Sequence, residues 1–228
     1  MWRGEVALTF RTSSRIAGYA FLLYIALGIA AMALFGRATG DGETAAKLAG
    51  IAQHETLARL AALCNLLTAF TALALGVSLY ALTRAVDRDL ALLGLACRVG
   101  EGVIGAAGMQ SSLGLLWLST TTGAEAPSAE GAQAIGAYLL AQNSGVLVAG
   151  LFFAVGSSFF AWLFLKGRLI PAWLAWLGLV ASLLLVVGLP LRLAGALPGS
   201  VAMALWAPMA AFEIPFAVWL LIRGIAPR

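Results

Sequence analysis

Apolar runs of about twenty residues recur along the chain, and they constrain its fold more than any other feature. A helix of that length spans about 30 Å, which is the thickness of the hydrocarbon core of a bilayer. Only 11% of the residues are Asp, Glu, Lys or Arg, whereas soluble domains contain about 25% of them. This deficit excludes a normal solvated surface. The sequence therefore predicts a polytopic membrane protein.

The runs define six candidate spans, and we expect each of them to be an α-helix. No water satisfies backbone polar groups inside lipid, and the runs lack the alternation that is typical of barrel strands. The spans are predicted at residues 16–35, 60–83, 90–119, 144–165, 172–194 and 201–222. The sequence thus predicts an all-α fold, a six-transmembrane-helix bundle that forms a single domain over residues 1–228.

Two outer connections, residues 36–59 and 120–143, are longer than simple turns. Residues 44–56 have a helix-forming composition but are too polar to span the bilayer. Residues 121–133 are typical of a loop, and we expect residues 134–145 to extend the fourth span outward. The two connections either form a partial cap over the outer mouth of the bundle or are merely solvated segments.

Lys and Arg are distributed unequally between the two sets of connections. The set that includes both termini contains nine of them, namely Arg3, Arg11, Arg15, Arg84, Arg88, Lys166, Arg168, Arg223 and Arg228. The opposite set contains four, namely Arg37, Lys47, Arg59 and Arg192. Because cytoplasmic connections carry the excess of basic residues, both termini are predicted to be cytoplasmic. The basic residues are spread over short loops, so the formal charge of +4 indicates membrane topology and no nucleic-acid partner.

An arginine and a glutamate lie three residues apart inside the third span, in the stretch LACRVGEGVIGA at residues 95–106. Both belong to a stripe of small and polar residues, since alternating steps of four and three residues follow one face of a helix. The stripe consists of Gly94, Arg98, Glu101, Gly105, Gly108 and Ser112. Glycines let another helix approach closely, so we expect this face to point into the bundle.

The rise of a helix places three charged residues at a similar depth. Counted from Asp89, Arg98 lies roughly 14 Å and Glu101 roughly 18 Å into the membrane. Counted from Arg223, Glu213 of the sixth span lies roughly 15 Å in. A charge at the centre of a spanning helix costs about 2.5–3.5 kcal/mol, so we expect the three charges to pair or to reach water.

This cluster is a candidate site for a proton or a small ligand. With Arg98 fixed as a cation, two carboxylates leave one negative charge in excess, which a proton on Glu101 or Glu213 would remove. Pro208 and Pro215 free backbone carbonyls near Glu213 and are expected to bend the sixth span around it. A static ion-pair cluster that fixes the register of the helices explains the same three residues equally well.

Further polar residues collect toward the outer side of the spans: Asn65, Gln110 and Asn143. They are candidates for the lining of a cavity that opens outward. Such residues more often serve as hydrogen-bonding contacts between helices, which contribute about 0.6 kcal/mol each.

Signatures of catalysis and metal binding are poor. The sequence has no GxSxG, P-loop or CxxC motif, and its one histidine, His54, excludes a multi-histidine site within one chain. Cys64 and Cys97 fall in different spans, and we expect both to be small apolar packing residues. The protein is therefore expected to be no enzyme and to bind neither a cofactor nor a metal.

The most distinctive stretches lie at the ends of spans and around the charged residues. They are RIAG at Arg15–Gly18, LYALTRAVDRDLALLGLACRVGEG at residues 79–102, LFF at Leu151 with LIPAWL ending at Leu174, and FEIPFAVWLLIRG at residues 212–224. Together they resemble a family of small bacterial six-span membrane proteins that is catalogued only as a domain of unknown function. The resemblance covers residues 13–224.

The resemblance implies an integral protein of the bacterial cytoplasmic (inner) membrane with no established activity. Arg98, Glu101 and Glu213 stand where the family pattern places its charged residues. Family members often have an acid where this chain has Asn65, and a histidine near Gly156, and this chain lacks both. A proton relay built on those two positions is therefore not expected here.

Two classes of function remain open, and a membrane-embedded enzyme is a distant third. In the first, the interior cluster binds a proton or a small ligand, as in a compact transporter or a ligand-responsive protein. In the second, the cluster is static, and the protein is an accessory subunit whose small-residue faces, such as Gly145–Gly156, dock another membrane subunit or a second copy of the chain. A wet cavity at the depth of Glu101 favours the first class, and a dry ion pair favours the second.

Overall fold

The computed structural model describes residues 2–143 and 146–225, and every regular element in these ranges is helical. The helices are α1 (Trp2–Thr39), α2 (Thr44–Gln53), α3 (Glu55–Thr83), α4 (Arg88–Thr120), α5 (Ala129–Asn143), α6 (Val146–Lys166), α7 (Ala172–Leu193), α8 (Gly199–Ala204) and α9 (Trp206–Ile222). A single 3-10 turn at Gly123–Glu125 lies between α4 and α5.

Six helical segments of the described chain are long and apolar enough to cross a membrane. They are Phe10–Thr39, Glu55–Thr83, Arg88–Thr120, Ala129–Lys166, Ala172–Leu193 and Gly199–Ile222. Each coincides with one predicted span, so the prediction of an all-α, six-span membrane protein is confirmed. Several segments extend past the predicted ends, because a helix continues beyond the hydrocarbon wherever the flanking residues favour it.

The two outer connections contain helices of their own. α2 occupies the segment that was predicted to be helical but too polar to span. α5 begins at Ala129, inside the segment that was predicted to be a loop. The hydroxyl of Ser128 accepts the backbone N–H of Gly131 at 3.2 Å, which caps the first turn and explains this early start.

The chain divides into two compact units. The first unit consists of Met1–Tyr24, Phe70–Gly102 and Leu147–Arg228. The ring of Phe216 in α9 lies in its core and contacts the rings of Phe21, Phe164 and Phe212, with centroid separations of 5.4, 5.0 and 5.1 Å. Pairs at these separations contribute about 0.5–1.5 kcal/mol beyond the burial of their area, so this aromatic group stabilises the unit.

Glycines let the helices of the first unit approach one another closely. A Cβ atom added to Gly178 of α7 would lie 2.6 Å from the ring of Phe212 in α9. A Cβ atom added to Gly156 of α6 would lie 2.9 Å from the Cβ of Cys97 in α4. Neither distance accommodates a Cβ atom, so these helix pairs pack this closely only because glycine has none.

The small-residue face between residues 145 and 156 packs within the first unit. Gly150 and Gly156 are both buried, and a Cβ atom on Gly150 would lie 3.3 Å from Trp206. Gly145 lies outside the described residues. At Gly150 and Gly156 this face is covered by residues of the same chain, because a glycine face admits a helix of its own chain as readily as a partner. The docking of another subunit on the protein stays a prediction.

The second unit consists of Ile25–Ala69 and Val103–Val146. Its buried core is formed by Ala38, Leu48, Ile51, Ala58, Leu115, Leu116 and Leu118. α2 packs against α5 at Gly136, where an added Cβ atom would lie 2.9 Å from Leu48. The non-spanning helix α2 is therefore a packed element of this unit and not a free connection.

An ion pair joins the turn between α3 and α4 to the end of α6 in the first unit. Lys166 Nζ donates to Asp87 Oδ2 at 3.0 Å, and the backbone N–H of Leu90 donates to Asp87 Oδ1 at 3.2 Å. The hydrogen bond from Lys166 is the main cause that lowers the pKa of Asp87 from its ordinary value of 3.8. A lowered pKa stabilises the folded state above the unfolded pKa, and this contribution is lost as the pH falls through the folded pKa.

Lys166→Gln is therefore expected to lower the melting temperature slightly at neutral pH and to have no effect below about pH 3. The effect is small because both side chains are partly exposed, at 46% and 29%. Thermal unfolding across the acidic range checks it, with Lys47→Gln as a control, since no ion pair of Lys47 occurs in the described ranges. A loss that stays constant down to the lowest pH would contradict this explanation.

Candidate functional site

Arg98 and Glu101 of α4 form a buried ion pair in the first unit. Arg98 Nη1 donates to Glu101 Oε2 at 2.6 Å, and the two side chains are 1% and 6% exposed. A spacing of three residues puts both side chains on one face of the helix. Gly76 of α3 lies opposite, where an added Cβ atom would be 2.8 Å from the Cβ of Arg98. The missing side chain at Gly76 thus provides the space for the arginine.

The second carboxylate oxygen of Glu101 is bound by α1. Tyr24 Oη donates to Glu101 Oε1 at 2.6 Å. Hydrogen bonds to an ionised group are roughly twice as strong as those between neutral groups. Glu101 therefore has a strong donor on each of its two oxygens.

The guanidinium group of Arg98 lies against two aromatic rings. Its Cζ atom is 4.9 Å from the ring centroid of Phe153 in α6 and 5.5 Å from that of Tyr24. The two rings are nearly parallel, with an interplanar angle of 3° and centroids 6.4 Å apart. A cation–π contact contributes about 2 kcal/mol or more where water is excluded. The rings therefore compensate in part for the lost hydration of the cation.

The hydrogen bonding of Arg98 is nevertheless incomplete. A guanidinium group carries five N–H donors, and Nε of Arg98 is buried without an acceptor among the described residues. An unsatisfied buried donor costs about 1–3 kcal/mol. An oxygen atom brought by a ligand or an ordered water next to Nε would therefore be stabilised.

Glu213 of α9 is buried as well, with 7% of its surface exposed. It lies close enough to Arg98 and Glu101 to interact electrostatically with both. Among the residues that the structure describes, its carboxyl group forms neither a hydrogen bond nor an ion pair. A buried charge without a partner is unfavourable, so this position favours a neutral carboxyl group or a bound partner.

The structure thus brings Arg98, Glu101 and Glu213 into one unit, and it separates their roles. Arg98 and Glu101 bind each other, whereas Glu213 remains without a polar partner in the described part of the chain.

Pro215 is inside α9, and the interruption before α9 falls at Leu205, three residues ahead of Pro208. Pro208 therefore lies in the first turn of α9, where its missing N–H removes no internal hydrogen bond of that helix.

The residues proposed to line an outer cavity lie in the second unit. Asn65 and Gln110 are exposed, and the side chain of Asn143 lies outside the described residues. An exposed side chain at these positions is open either to lipid or to an aqueous cavity. Their lining role therefore stays a prediction.

The stripe on α4 is only partly buried. Gly94, Arg98 and Glu101 are buried, but Gly105 and Gly108 are exposed, and an added Cβ atom on either would meet no atom within 4 Å. An exposed glycine is open either to lipid or to an aqueous cavity, so the prediction that the stripe faces the interior stays a prediction at these two positions. A glycine permits a close helix contact but does not require one, so the pattern alone does not reveal where the stripe opens.

Tyr24 and Phe153 are parts of the site that the sequence analysis does not single out. A signal for Tyr24 exists, because it lies nine residues beyond Arg15, or roughly 14 Å deep, which is the depth of Arg98. Phe153 has no comparable signal. A phenylalanine in an apolar run is compatible with core packing, lipid contact and a cation–π contact alike.

Six apolar spans, one of which contains a buried arginine–glutamate pair, define a multi-pass membrane protein. The chain belongs to the family described as a domain of unknown function, DUF4386, whose match covers residues 16–224. The resemblance found in the stretches around Arg15, Arg98 and Glu213 is thereby confirmed. No curated protein and no solved structure matches the chain.

Proposed function

We propose that this multi-pass protein resides in the bacterial cytoplasmic membrane, with both termini in the cytoplasm, and binds a proton or a small ligand in its buried charge cluster. Its role is that of a compact transporter or a ligand-responsive membrane protein without catalytic activity. The family resemblance supports the bacterial location, and the excess of Lys and Arg on one side supports the orientation.

The carboxyl group of Glu213, which has no polar partner among the described residues, carries the proposal. Glu101 is neutralised by Arg98 and also bound by Tyr24, so the excess negative charge of the cluster falls on Glu213. An ionised carboxylate that is buried without a partner costs several kcal/mol. Glu213 therefore holds a proton in the folded protein, or binds a cationic or hydrogen-bonding ligand in its place.

Loss of the proton from Glu213 has a structural consequence. The new carboxylate competes with Glu101 for the guanidinium group of Arg98, which has unused N–H donors. Arg98 and Glu101 belong to α4, Tyr24 belongs to α1 and Glu213 belongs to α9. A change of partner by Arg98 thus couples the protonation of one side chain to the packing of three helices.

Glu213→Gln and Glu101→Gln test this assignment when thermal stability is measured between about pH 5 and pH 9. The native state of the wild type holds a proton that the unfolded state releases, so its stability is expected to fall as the pH rises. Glu213→Gln imitates the protonated acid and is expected to remove this pH dependence with little loss of stability. Glu101→Gln removes the carboxylate that binds Arg98, and it is expected to destabilise the protein most at low pH, where Glu213 is protonated and cannot replace that carboxylate.

Infrared difference spectroscopy provides an independent measurement. A protonated carboxyl group gives a C=O stretching band, and the band that changes with pH is expected to disappear in Glu213→Gln and to persist in Glu130→Gln, which removes an exposed carboxylate. If the wild type shows no pH-dependent band and constant stability over this range, Glu213 is not a proton site.

An accessory subunit with a static cluster is the second candidate, and the geometry of Glu101 favours it. Both oxygens of Glu101 are occupied at 2.6 Å, and Arg98 is 1% exposed, as expected for an ion pair that fixes helix register. The partner would then be another membrane subunit or a second copy of the chain. This candidate predicts that Glu101→Gln is strongly destabilising while Glu213→Gln leaves the pH profile unchanged.

A further inference from the structure

We propose that three arginines, near the start of the membrane-spanning part of α1 and at the end of α9, bind the phosphate group of an anionic phospholipid. They are Arg11 and Arg15 on α1 and Arg223, the residue that follows α9. This lipid site is separate from the buried charge cluster and does not depend on the function proposed for it.

Contacts between the two helices bring these arginines together. Ser14 Oγ accepts the backbone N–H of Ile225 at 3.0 Å, and this bond is buried. Gly224, at a φ of +66°, lies against Ser14, with 3.7 Å from an added Cβ atom to the Cβ of Ser14. Arg15 follows Ser14 and Arg223 precedes Gly224. The Cα atom of each arginine therefore lies about 3.8 Å from the Cα atom of a residue in this contact.

The three cations have no counter-ion among the residues that the structure describes. All three side chains are exposed, and none of them has a carboxylate partner in the ranges that the structure describes. Arg11 and Arg15 are four residues apart and lie on one face of α1. Unpaired guanidinium groups at one helix end attract an anion, and their fork of donors matches phosphate oxygens.

Trp219 adds an unsatisfied donor at the same end. The Cζ atom of Arg223 lies 5.9 Å from the ring centroid of Trp219, and the indole Nε1 is buried without an acceptor among the described residues. Tryptophan is enriched at the membrane interface, where its ring lies in apolar surroundings and its N–H is directed to polar groups. The contact with Trp219 therefore supports a position of Arg223 at the level of the lipid headgroups.

A phospholipid fits this position better than free phosphate does. The arginines lie at the ends of membrane-spanning helices, which is the level of the headgroups. Ile16 on α1 and Ile222 on α9 are 48% and 74% exposed next to them, and acyl chains can cover both. An anionic headgroup and its acyl chains therefore match the charged and the apolar parts of the same surface.

The test compares Arg15→Gln/Arg223→Gln with Arg84→Gln/Arg88→Gln, which removes two exposed arginines, one from the turn between α3 and α4 and one from the first residue of α4. Phosphatidylglycerol and phosphatidylcholine with identical acyl chains are titrated into purified protein, and retained lipid is counted by native mass spectrometry. Each basic residue near an anionic surface contributes about fivefold in affinity, so the first variant is expected to bind phosphatidylglycerol about thirtyfold more weakly. The second variant and the wild type are expected to bind it alike.

Three outcomes would overturn the proposal: equal binding of the two lipids by the wild type, equal weakening in both variants, or displacement of the lipid by inorganic phosphate at comparable concentration. Arg15→Lys/Arg223→Lys distinguishes lost charge from misfolding, because it is expected to keep most of the binding. Its failure to bind while its melting temperature stays normal would also count against a phosphate site that depends on charge.

Discussion

Arg98→Met is expected to destabilise the protein by about 3–5 kcal/mol, because it leaves Glu101 as a buried carboxylate without its cation. Methionine fills most of the volume of the arginine stem, so the loss reflects the ion pair and not a cavity. Denaturation in mixed micelles, with the folded fraction followed by intrinsic fluorescence, measures the free energy of unfolding.

Removal of the whole polar group is expected to reverse this loss. Arg98→Met/Glu101→Leu deletes both charges but leaves the hydroxyl of Tyr24 without its acceptor, which costs about 1–3 kcal/mol. Addition of Tyr24→Phe removes that donor, and the triple variant is expected to approach or exceed the wild type in stability. Such a variant would be stable and yet unable to exchange partners with Glu213.

Arg59→Met is the matched control for this series. Arg59 pairs with Glu55 on the surface of α3, where Nε donates to Oε1 at 2.7 Å. An exposed pair of this kind contributes about 0–1 kcal/mol, so its loss should be barely measurable. Similar losses from Arg98→Met and Arg59→Met would mean that water reaches Arg98 in the membrane.

Gly76→Ala is expected to cost about 1–3 kcal/mol, although it adds a single methyl group. The new Cβ atom would lie 2.8 Å from the Cβ of Arg98 and 3.3 Å from the Cδ1 of Leu95. Because the first contact involves the base of the arginine side chain, the collision is relieved only if α3 and α4 separate. The same denaturation experiment measures the loss.

Gly105→Ala is the control, since an added Cβ atom there meets nothing within 4 Å. Alanine favours a helix over glycine by up to about 1 kcal/mol, so this variant is expected to be neutral or stabilised. A loss at Gly105 as large as the loss at Gly76 would show that the packing at Gly76 has no special importance.

The number and type of the spans follow from the sequence, because lipid requires every backbone group to be satisfied within a helix. The ends of the helices do not follow as well. α5 begins within a segment of loop-like composition because Ser128 caps it, and a cap depends on the local backbone more than on polarity.

The candidate site is predictable in depth but not in pairing. Counting residues along the helices places Arg98, Glu101 and Glu213 at one level. The partner that Arg98 takes depends on the lateral positions and rotations of the helices, which no linear pattern specifies. For the same reason, the sequence does not specify whether Glu101 or Glu213 carries the proton, and it does not identify Tyr24 as the second donor to Glu101.

The first unit is assembled from Met1–Tyr24, Phe70–Gly102 and Leu147–Arg228. Its earliest and latest segments meet where the hydroxyl of Ser14 binds the backbone of Ile225. During synthesis, α1 therefore lacks this contact until α9 has left the ribosome. Until then the contact between Ser14 and Ile225 is missing, whereas Arg98 and Glu101 of α4 can already bind each other and Tyr24 of α1, so the charged residues of α4 have partners before the unit closes.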